Sequence, residues 1–262
     1  MFTPFANMNQ FDPDAGAFIN VTRIGGIEAV AINNLVNELK TAGLWQLMTV
    51  IYPMVGGTAF TNQFNLVNPQ STNAAYRLNF VGGWTHSSSG AKPDGVAGTY
   101  ADTFAAPNSV FTTTNGSFSY YSFTNNAGIA AAEIGANDGA ATTGETLLAL
   151  RFNDGNQYSF FGQVGGSGGA SGNSSGYFIT NRTTAVEGWK NGTRVVNTGT
   201  TVTTLTARTL YLAAQNNGTG TNRNSSRGCC FAHIGRSLPT DGPATLTNIV
   251  NNFQRTLGRN TF

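Results

Sequence analysis

The stretch Val186-Glu187-Gly188-Trp189-Lys190-Asn191-Gly192-Thr193-Arg194-Val195-Val196-Asn197 decides the fold class. Asn-Gly between two runs rich in β-branched and aromatic residues is the strongest short signal for a β-hairpin, because both residues accept the tight reversal that joins two strands. Residues 186–190 and 194–197 are therefore predicted strands. The same texture extends upstream, with strands expected at 76–81, 96–104, 109–114, 117–123, 146–152, 157–164 and 177–182, and downstream at 209–214 and 229–234. Many of these alternate, as Tyr76-Arg77-Leu78-Asn79-Phe80 does, which buries one face of a sheet and leaves the other wet. The apolar run 47–52, ended by Pro53, reads as a further buried strand. No motif recurs at a fixed period, which argues against a solenoid or propeller. Residues 165–176 are almost wholly Gly, Ser, Ala and Asn and read as a mobile loop.

Composition points the same way. The 262 residues include 33 Gly, 30 Asn and 35 Thr. Gly is entropically costly in a helix, and Asn and Thr offer the backbone competing hydrogen bonds, so short strands and tight turns are favoured. Only 10% of residues are charged, against about a quarter in an ordinary soluble domain. Disorder is excluded by 40% hydrophobic and 11% aromatic residues, enough to bury a core. The formal net charge of +2 has no clustered basic stretch behind it, which disfavours nucleic acid as a partner. The longest largely apolar run, 44–55, is shorter than the roughly 20 residues of a membrane-spanning helix, and no secretory leader is expected at the N-terminus. Cys229 and Cys230 are adjacent, so they close no long loop and are expected as free thiols, consistent with assembly in a reducing cytoplasm.

Two helices flank the strands. Ile27, Ala31, Leu35 and Leu39 recur every fourth position, with Lys40 in the last turn and Gly43 just beyond. Leu246, Ile249, Val250, Phe253 and Leu257 make a second amphipathic stripe, with Pro243 suited to its first turn and Gly258 to its end. Residues 1–25, punctuated by Pro4, Pro13, Gly16, Gly25 and Gly26, are expected to form an extended arm. Its Phe2, Phe5, Phe11 and Phe18 must bury their rings, either on their own chain or on a partner subunit, and the second option makes the arm an attachment device. The expected plan is an arm and helix over 1–43, then a jelly-roll sandwich with a C-terminal helix over 44–262.

The chemistry-bearing residues are few. With only His86 and His233 in the chain, a Ser-His-carboxylate triad has little to draw on, and alternation puts His233 on the same strand face as Phe231. Two adjacent thiols and two distant imidazoles match no metal-ligand spacing, so neither a metal nor another cofactor is expected. Glycoside hydrolysis needs two carboxylates a few ångströms apart, and Glu133, Asp138, Glu145, Asp154 and Glu187 form no same-face pair along a strand. The expectation is a chain with no catalytic residues. Binding is the remaining function. Trp84 and His86 stand in Gly82-Gly83-Trp84-Thr85-His86-Ser87-Ser88-Ser89-Gly90, read as a loop whose small residues expose an aromatic, the alternative being that each Trp plugs the sandwich core or its rim. Trp189 precedes the Asn191-Gly192 turn and is the second candidate. An indole face beside Asn and Ser can hold a sugar, the ring stacking on its C–H face and the amides bonding its hydroxyls.

A resemblance gives this reading more shape. Tyr177-Phe178-Ile179-Thr180-Asn181-Arg182, then Trp189-Lys190-Asn191-Gly192-Thr193-Arg194-Val195, resembles the penultimate hairpin of laminin-G/concanavalin-like jelly rolls. Leu210-Tyr211-Leu212-Ala213-Ala214 and Phe231-Ala232-His233-Ile234-Gly235-Arg236-Ser237-Leu238 follow in the order usual for that superfamily. Two more specific segments, Phe80-Val81-Gly82-Gly83-Trp84-Thr85-His86-Ser87-Ser88-Ser89-Gly90 and Phe253-Gln254-Arg255-Thr256-Leu257-Gly258-Arg259, are similar to tailed-bacteriophage virion proteins carrying such a domain. The resemblance spans 74–259. It implies a non-enzymatic structural protein in the virion: a tail, fibre or baseplate component whose jelly roll contacts the host surface or its glycans. The alternatives are a head-surface decoration protein and a virion-associated glycan-degrading enzyme. The partners it implies are other virion proteins, further copies of the same chain and a host glycan, with no nucleic acid and no membrane.

Overall fold

The Asn191-Gly192 reversal forms as its sequence predicts: φ is 50° at Asn191 and 81° at Gly192, and Lys190 faces Thr193 across the turn. Both central residues at positive φ are what a two-residue hairpin between twisted strands requires. The computed structural model describes residues 11–139, 144–163, 165–166, 168–199, 201–202 and 204–262.

Around this hairpin the chain builds a two-sheet antiparallel sandwich with few helices. The first sheet holds β1 (Met48–Tyr52), β3 (Trp84–Ser87), β4 (Gly90–Pro93), β6 (Gly116–Ser122), β11 (Gly176–Arg182), β12 (Val186–Lys190), β13 (Thr193–Thr198) and β17 (Cys229–Gly235). The second holds β2 (Asn79–Val81), β5 (Tyr100–Asp102), β7 (Ile134–Ala136), β8 (Glu145–Ala149), β9 (Asn156–Gln163), β10 (Gly168–Ala170), β14 (Tyr211–Leu212), β15 (Gln215–Asn216) and β16 (Thr221–Asn222). The first runs β13-β12-β11-β6-β17-β4-β3, with β1 also on β17; the second runs β10-β9-β8-β7-β14-β5-β2, with β15 on β7. Between them lies one core, with Phe118, Tyr120, Phe178 and Ile234 from the first sheet against Ile134, Leu148, Phe161 and Leu212 from the second.

A second core covers the other face of the first sheet. There α1 (Pro13–Thr22), α2 (Gly26–Thr41) and α5 (Gly242–Thr256) pack on Tyr121, Tyr177, Ile179 and Phe231. Alternation in β17 serves both cores, Phe231 pointing to the helices and Ala232 and Ile234 into the sandwich. The described residues also hold two single-turn helices, α3 (Ala59–Asn62) and α4 (Pro107–Val110), and two 3-10 turns, Trp45–Leu47 and Asn73–Ala75.

Several expectations need correction. The predicted extended arm is helical over α1: Asp12 caps it by accepting from the Asp14 N–H at 3.0 Å, Pro13 fits the first turn, and Lys40 of α2 bridges Asp12 and Asp14. Phe18 of that arm is buried in its own chain's helix core, so its ring is not available to a partner, and Phe11 packs half-buried against the same core. Phe2 and Phe5 lie outside the described residues. Helices on both sides of the expected 43/44 boundary share this core. The expected strand at 109–114 is replaced by α4 and a turn, because Pro107 presets helical φ at the first position. Other strands are shorter than predicted where a residue takes left-handed φ: Tyr76 at 58°, Phe104 at 55° and Ala213 at 66°. The predicted loop at 165–176 contains β10, which pairs with β9 from Gly168↔Tyr158 to Ala170↔Asn156.

The C-terminal segment closes the structure. Arg259 donates to the carbonyls of Pro53 (2.7 Å), Met54 (2.7 Å), Ser88 (3.2 Å) and Cys230 (3.1 Å), and Nε bonds Gln254 at 2.6 Å. One guanidinium thereby ties the end of α5 to the β3–β4 turn, the segment after β1 and the start of β17.

Candidate functional site

Gly82 and Gly83 explain how Trp84 is delivered. A Cβ on Gly82, which has φ +81°, would sit 2.4 Å from Thr99 Oγ1, and one on Gly83 would sit 2.0 Å from Asp94 Oδ2. At Gly82 the positive φ and the Thr99 backbone exclude a side chain, while at Gly83 the Asp94 carboxylate would have to give way; these approaches bring 82–83 against 94–99 and start β3. Across the hairpin Trp84 faces Pro93, Thr85 faces Lys92 and His86 faces Ala91. Ala91 belongs to the sandwich core, so Trp84 and His86 turn inward. This corrects the expected exposed loop and agrees with the alternative of a tryptophan at the sandwich rim: both residues lie on an edge strand and are half-buried.

Trp84 is held rigidly. Its Nε1 donates to the carbonyls of Val81 (3.1 Å) and Tyr100 (3.2 Å), and Phe80 meets its ring edge-on at 5.1 Å. Phe80 also meets His86 at 4.7 Å, and Asn62 Nδ2 lies 3.0 Å from His86 Nδ1. Burial lowers the His86 pKa, which keeps the imidazole neutral at physiological pH. Phe80, Trp84 and His86 thus close the sandwich edge between β2 and β3. Beside them opens a cleft of about 460 Å³ lined by Gly83, Trp84, Thr85, Lys92, Pro93, Asp94 and Ser226. The Asp94 carboxylate is held below its usual range by the Val96 N–H, at 2.9 Å, and by the Thr99 hydroxyl.

Trp189 stands at the opposite end of the same sheet, on β12. Gly188 turns inward, where a Cβ would lie 2.7 Å from Ser159 Oγ, so Glu187 and Trp189 face the helix layer. The Glu187 carboxylate accepts from Trp189 Nε1 at 3.1 Å and from Arg194 Nη1 at 2.7 Å, with the Arg194 guanidinium 5.8 Å above the indole. A cleft of about 360 Å³ is lined by these three residues and by Asn181, Thr183, Leu238, Thr240 and Asp241. Asn181 is committed to structure, bonding both the N–H and the carbonyl of Leu238.

The structure does not bring the two tryptophans together; it gives each its own cleft. Sequence reasoning missed Lys92, Asp94 and Ser226 at the first, and Arg194 and Asp241 at the second. A signal was available for Arg194, since the Asn191-Gly192 turn sets Trp189 opposite it. Nothing local marks Ser226, which reaches the cleft through the fold.

Away from the two clefts, His233, Cys229, Cys230, Glu133 and Arg227 are enclosed. His233 is fully buried, with Ser117 Oγ 3.0 Å from Nε2 and Tyr177 Oη 3.2 Å from Nδ1, and burial pushes its pKa down to about 3. Cys229 and Cys230 are free and buried, and burial pushes the Cys230 thiol up to about 12. Glu133 and Arg227 form a fully buried pair at 2.8 Å, with Ser225 Oγ and the Leu150 N–H also on the carboxylate. Among the described residues no group of three or more His, Cys, Asp or Glu is placed to hold a metal ion, and no helix is long and apolar enough to cross a membrane.

No family model matches the chain, and no curated protein matches it. Solved structures give distant likenesses. Domain 4 of an extracellular GH43 arabinanase from Geobacillus stearothermophilus, in complex with arabinotriose, is 12% identical with a TM-score of 0.45, over 78% of this chain and 98% of that one. The CBM40 domain of the Ruminococcus gnavus IT-sialidase, bound to α2,3-sialyllactose, is 12% identical with a TM-score of 0.43, over 60% of this chain and 96% of that one. A Trypanosoma rangeli sialidase mutant displaying trans-sialidase activity is 10% identical with a TM-score of 0.48, over 84% of this chain but 39% of its own. Likeness at this level carries no function to this chain.

Proposed function

We propose that this chain is a non-catalytic carbohydrate-binding protein of a tailed-bacteriophage particle, with the Trp84 cleft as its ligand seat. The observation that carries the reading is the immobilised indole at a cleft of sugar-accepting chemistry. Two carbonyls fix Trp84 Nε1, Pro93 extends the apolar wall, and Thr85, Lys92, Asp94 and Ser226 supply hydroxyl, ammonium and carboxylate groups. Its volume of about 460 Å³ falls within the roughly 300–1,000 Å³ of small-molecule sites. A sugar offers an apolar face to the ring and hydroxyls to the polar wall. Among the described residues Asp94 is the one carboxylate lining the cleft, whereas hydrolysis of a glycosidic bond calls for two. That favours binding over cleavage.

The virion assignment, with copies of this chain and other virion proteins as partners, rests on the phage-like segments at 80–90 and 253–259. The contact of Arg259 with the Ser88 carbonyl supports reading them as one unit. The test is binding to an array of bacterial surface polysaccharides. Lys92→Ala, at an exposed position, should weaken binding several-fold without moving the melting temperature; Trp84→Ala should weaken it further and also destabilise, because the ring closes the sandwich edge. Turnover of any arrayed polysaccharide would overturn the non-catalytic reading. Unchanged binding in both variants would remove the Trp84 cleft from it.

A further inference from the structure

We infer that the Trp189 cleft is one end of a second binding groove, independent of the Trp84 seat, that takes an extended neutral or amino-sugar chain. The groove follows from two clefts with a shared wall. The cleft of about 360 Å³ at Trp189 and a neighbouring one of about 310 Å³ are both lined by Thr240 and Asp241, at the start of α5. The second continues over Pro239 and Thr245 to Ala42 and Leu44, at the end of α2. The path therefore leads from the β12–β13 hairpin, past the start of α5, to the end of α2. Each part alone is the size of a small-molecule site, so together they suit a chain rather than a single ring.

The chemistry of the walls narrows the class. Leu44, Leu238 and Pro239 give an apolar floor, and Thr183, Thr240 and Thr245 give hydroxyls. Asp241 precedes α5 yet makes no side-chain capping bond, which leaves its exposed carboxylate to accept from a ligand hydroxyl or ammonium. Arg194 lies over the indole and is tethered by Glu187, so stacking on Trp189 is not the mode of recognition; the guanidinium instead presents its remaining N–H groups to ligand oxygens. Two carboxylates against one guanidinium leave the groove with a negative balance, which repels uronate and sialate chains and accepts neutral or amino sugars.

The experiment titrates the full chain with neutral glucose oligomers, glucosamine oligomers and oligogalacturonate, each from disaccharide to hexasaccharide. Wild type, Ala42→Trp, Asp241→Asn and Trp84→Ala are compared by calorimetry. Ala42 is exposed and lines the far end of the groove, so a tryptophan there takes up ligand space. For the neutral or the amino series, affinity should rise by about tenfold with length, close to 1.4 kcal/mol. Ala42→Trp should abolish that rise, Asp241→Asn should weaken all lengths several-fold, and Trp84→Ala should leave the rise intact. Absence of binding, preference for the acidic series, or a length effect that survives Ala42→Trp would each overturn the groove. Loss of the length effect in Trp84→Ala alone would assign it to the other cleft. Retention of a basic peptide but of no sugar would show the groove to be a protein-docking surface and refute the proposal.

Discussion

His233 shows how one residue's environment sets its role. The strand that carries it puts an imidazole among hydroxyls, with Ser117, Ser119 and Tyr177 as partners and no carboxylate among them. Burial alone lowers the pKa, to about 3, against about 6.5 in an unfolded chain. The unfolded state then binds the extra proton between those values, so stability contributed by this site is full above about pH 6.5 and lost as pH falls toward 3. Urea denaturation across that window should show a steeper acid loss in the native protein than in His233→Gln, which keeps hydrogen-bonding capacity without titrating; equal slopes would locate the acid sensitivity elsewhere. The Glu133–Arg227 pair makes a second residue-scale prediction. Replacing Arg227 by Met leaves a buried carboxylate with two neutral donors, Ser225 and the Leu150 N–H, and no countercharge. The loss should be about 3–5 kcal/mol by denaturant titration. A change below 1 kcal/mol would mean that the buried pair contributes little net stability.

Elements were legible in proportion to how much of their definition is local. The hairpin at Asn191-Gly192 and the stripes of α2 and α5 formed where expected, because turn residues and apolar period act within a few positions. The arm did not, since the cap that starts α1 is completed by Lys40, 28 residues away. The Trp84 segment misled for a related reason. Its small residues suggest a loop, yet Gly82 and Gly83 serve a close approach to 94–99 and Gly90 a close approach to β17, where a Cβ would lie 2.2 Å from the Cys229 carbonyl. These contacts are fixed by the fold, not by the motif. The clefts were half legible: each tryptophan could be named, while Ser226 and Asp241 reach them only through the tertiary structure. For α1 the consequence is measurable. Phe18 is 1% exposed in the helix core, and truncating a buried phenylalanine typically costs about 3–5 kcal/mol. Phe18→Ala should therefore lower the denaturation midpoint of the isolated protein. An unchanged midpoint would restore the picture of an arm that is spare in the monomer and used only in assembly.

At the scale of the molecule, the first sheet lies between two cores, and that position governs how the protein must unfold. Neighbouring residues of β17 enter different cores, Phe231 beneath the helices and Ala232 between the sheets, so neither core can loosen without disturbing a strand the other needs. The helices in turn have little to stabilise them alone. Removing them would strip the cover from Tyr121, Tyr177, Ile179 and Phe231, a cost that falls on the sandwich. Helix layer and sandwich should therefore melt as one unit, although their residues are far apart in sequence. Leu35 of α2 is 1% exposed and belongs to the helix core, which makes it the place to test this. Leu35→Ala should cost about 2–5 kcal/mol, a large share of the roughly 5–15 kcal/mol that holds a domain folded. In a calorimetric scan the variant should keep a single transition at lower temperature, with the helical and strand signals in circular dichroism falling together. Two resolved transitions, the helices melting first over an unmoved β signal, would make the helix layer a separable attachment and the sandwich the autonomous unit.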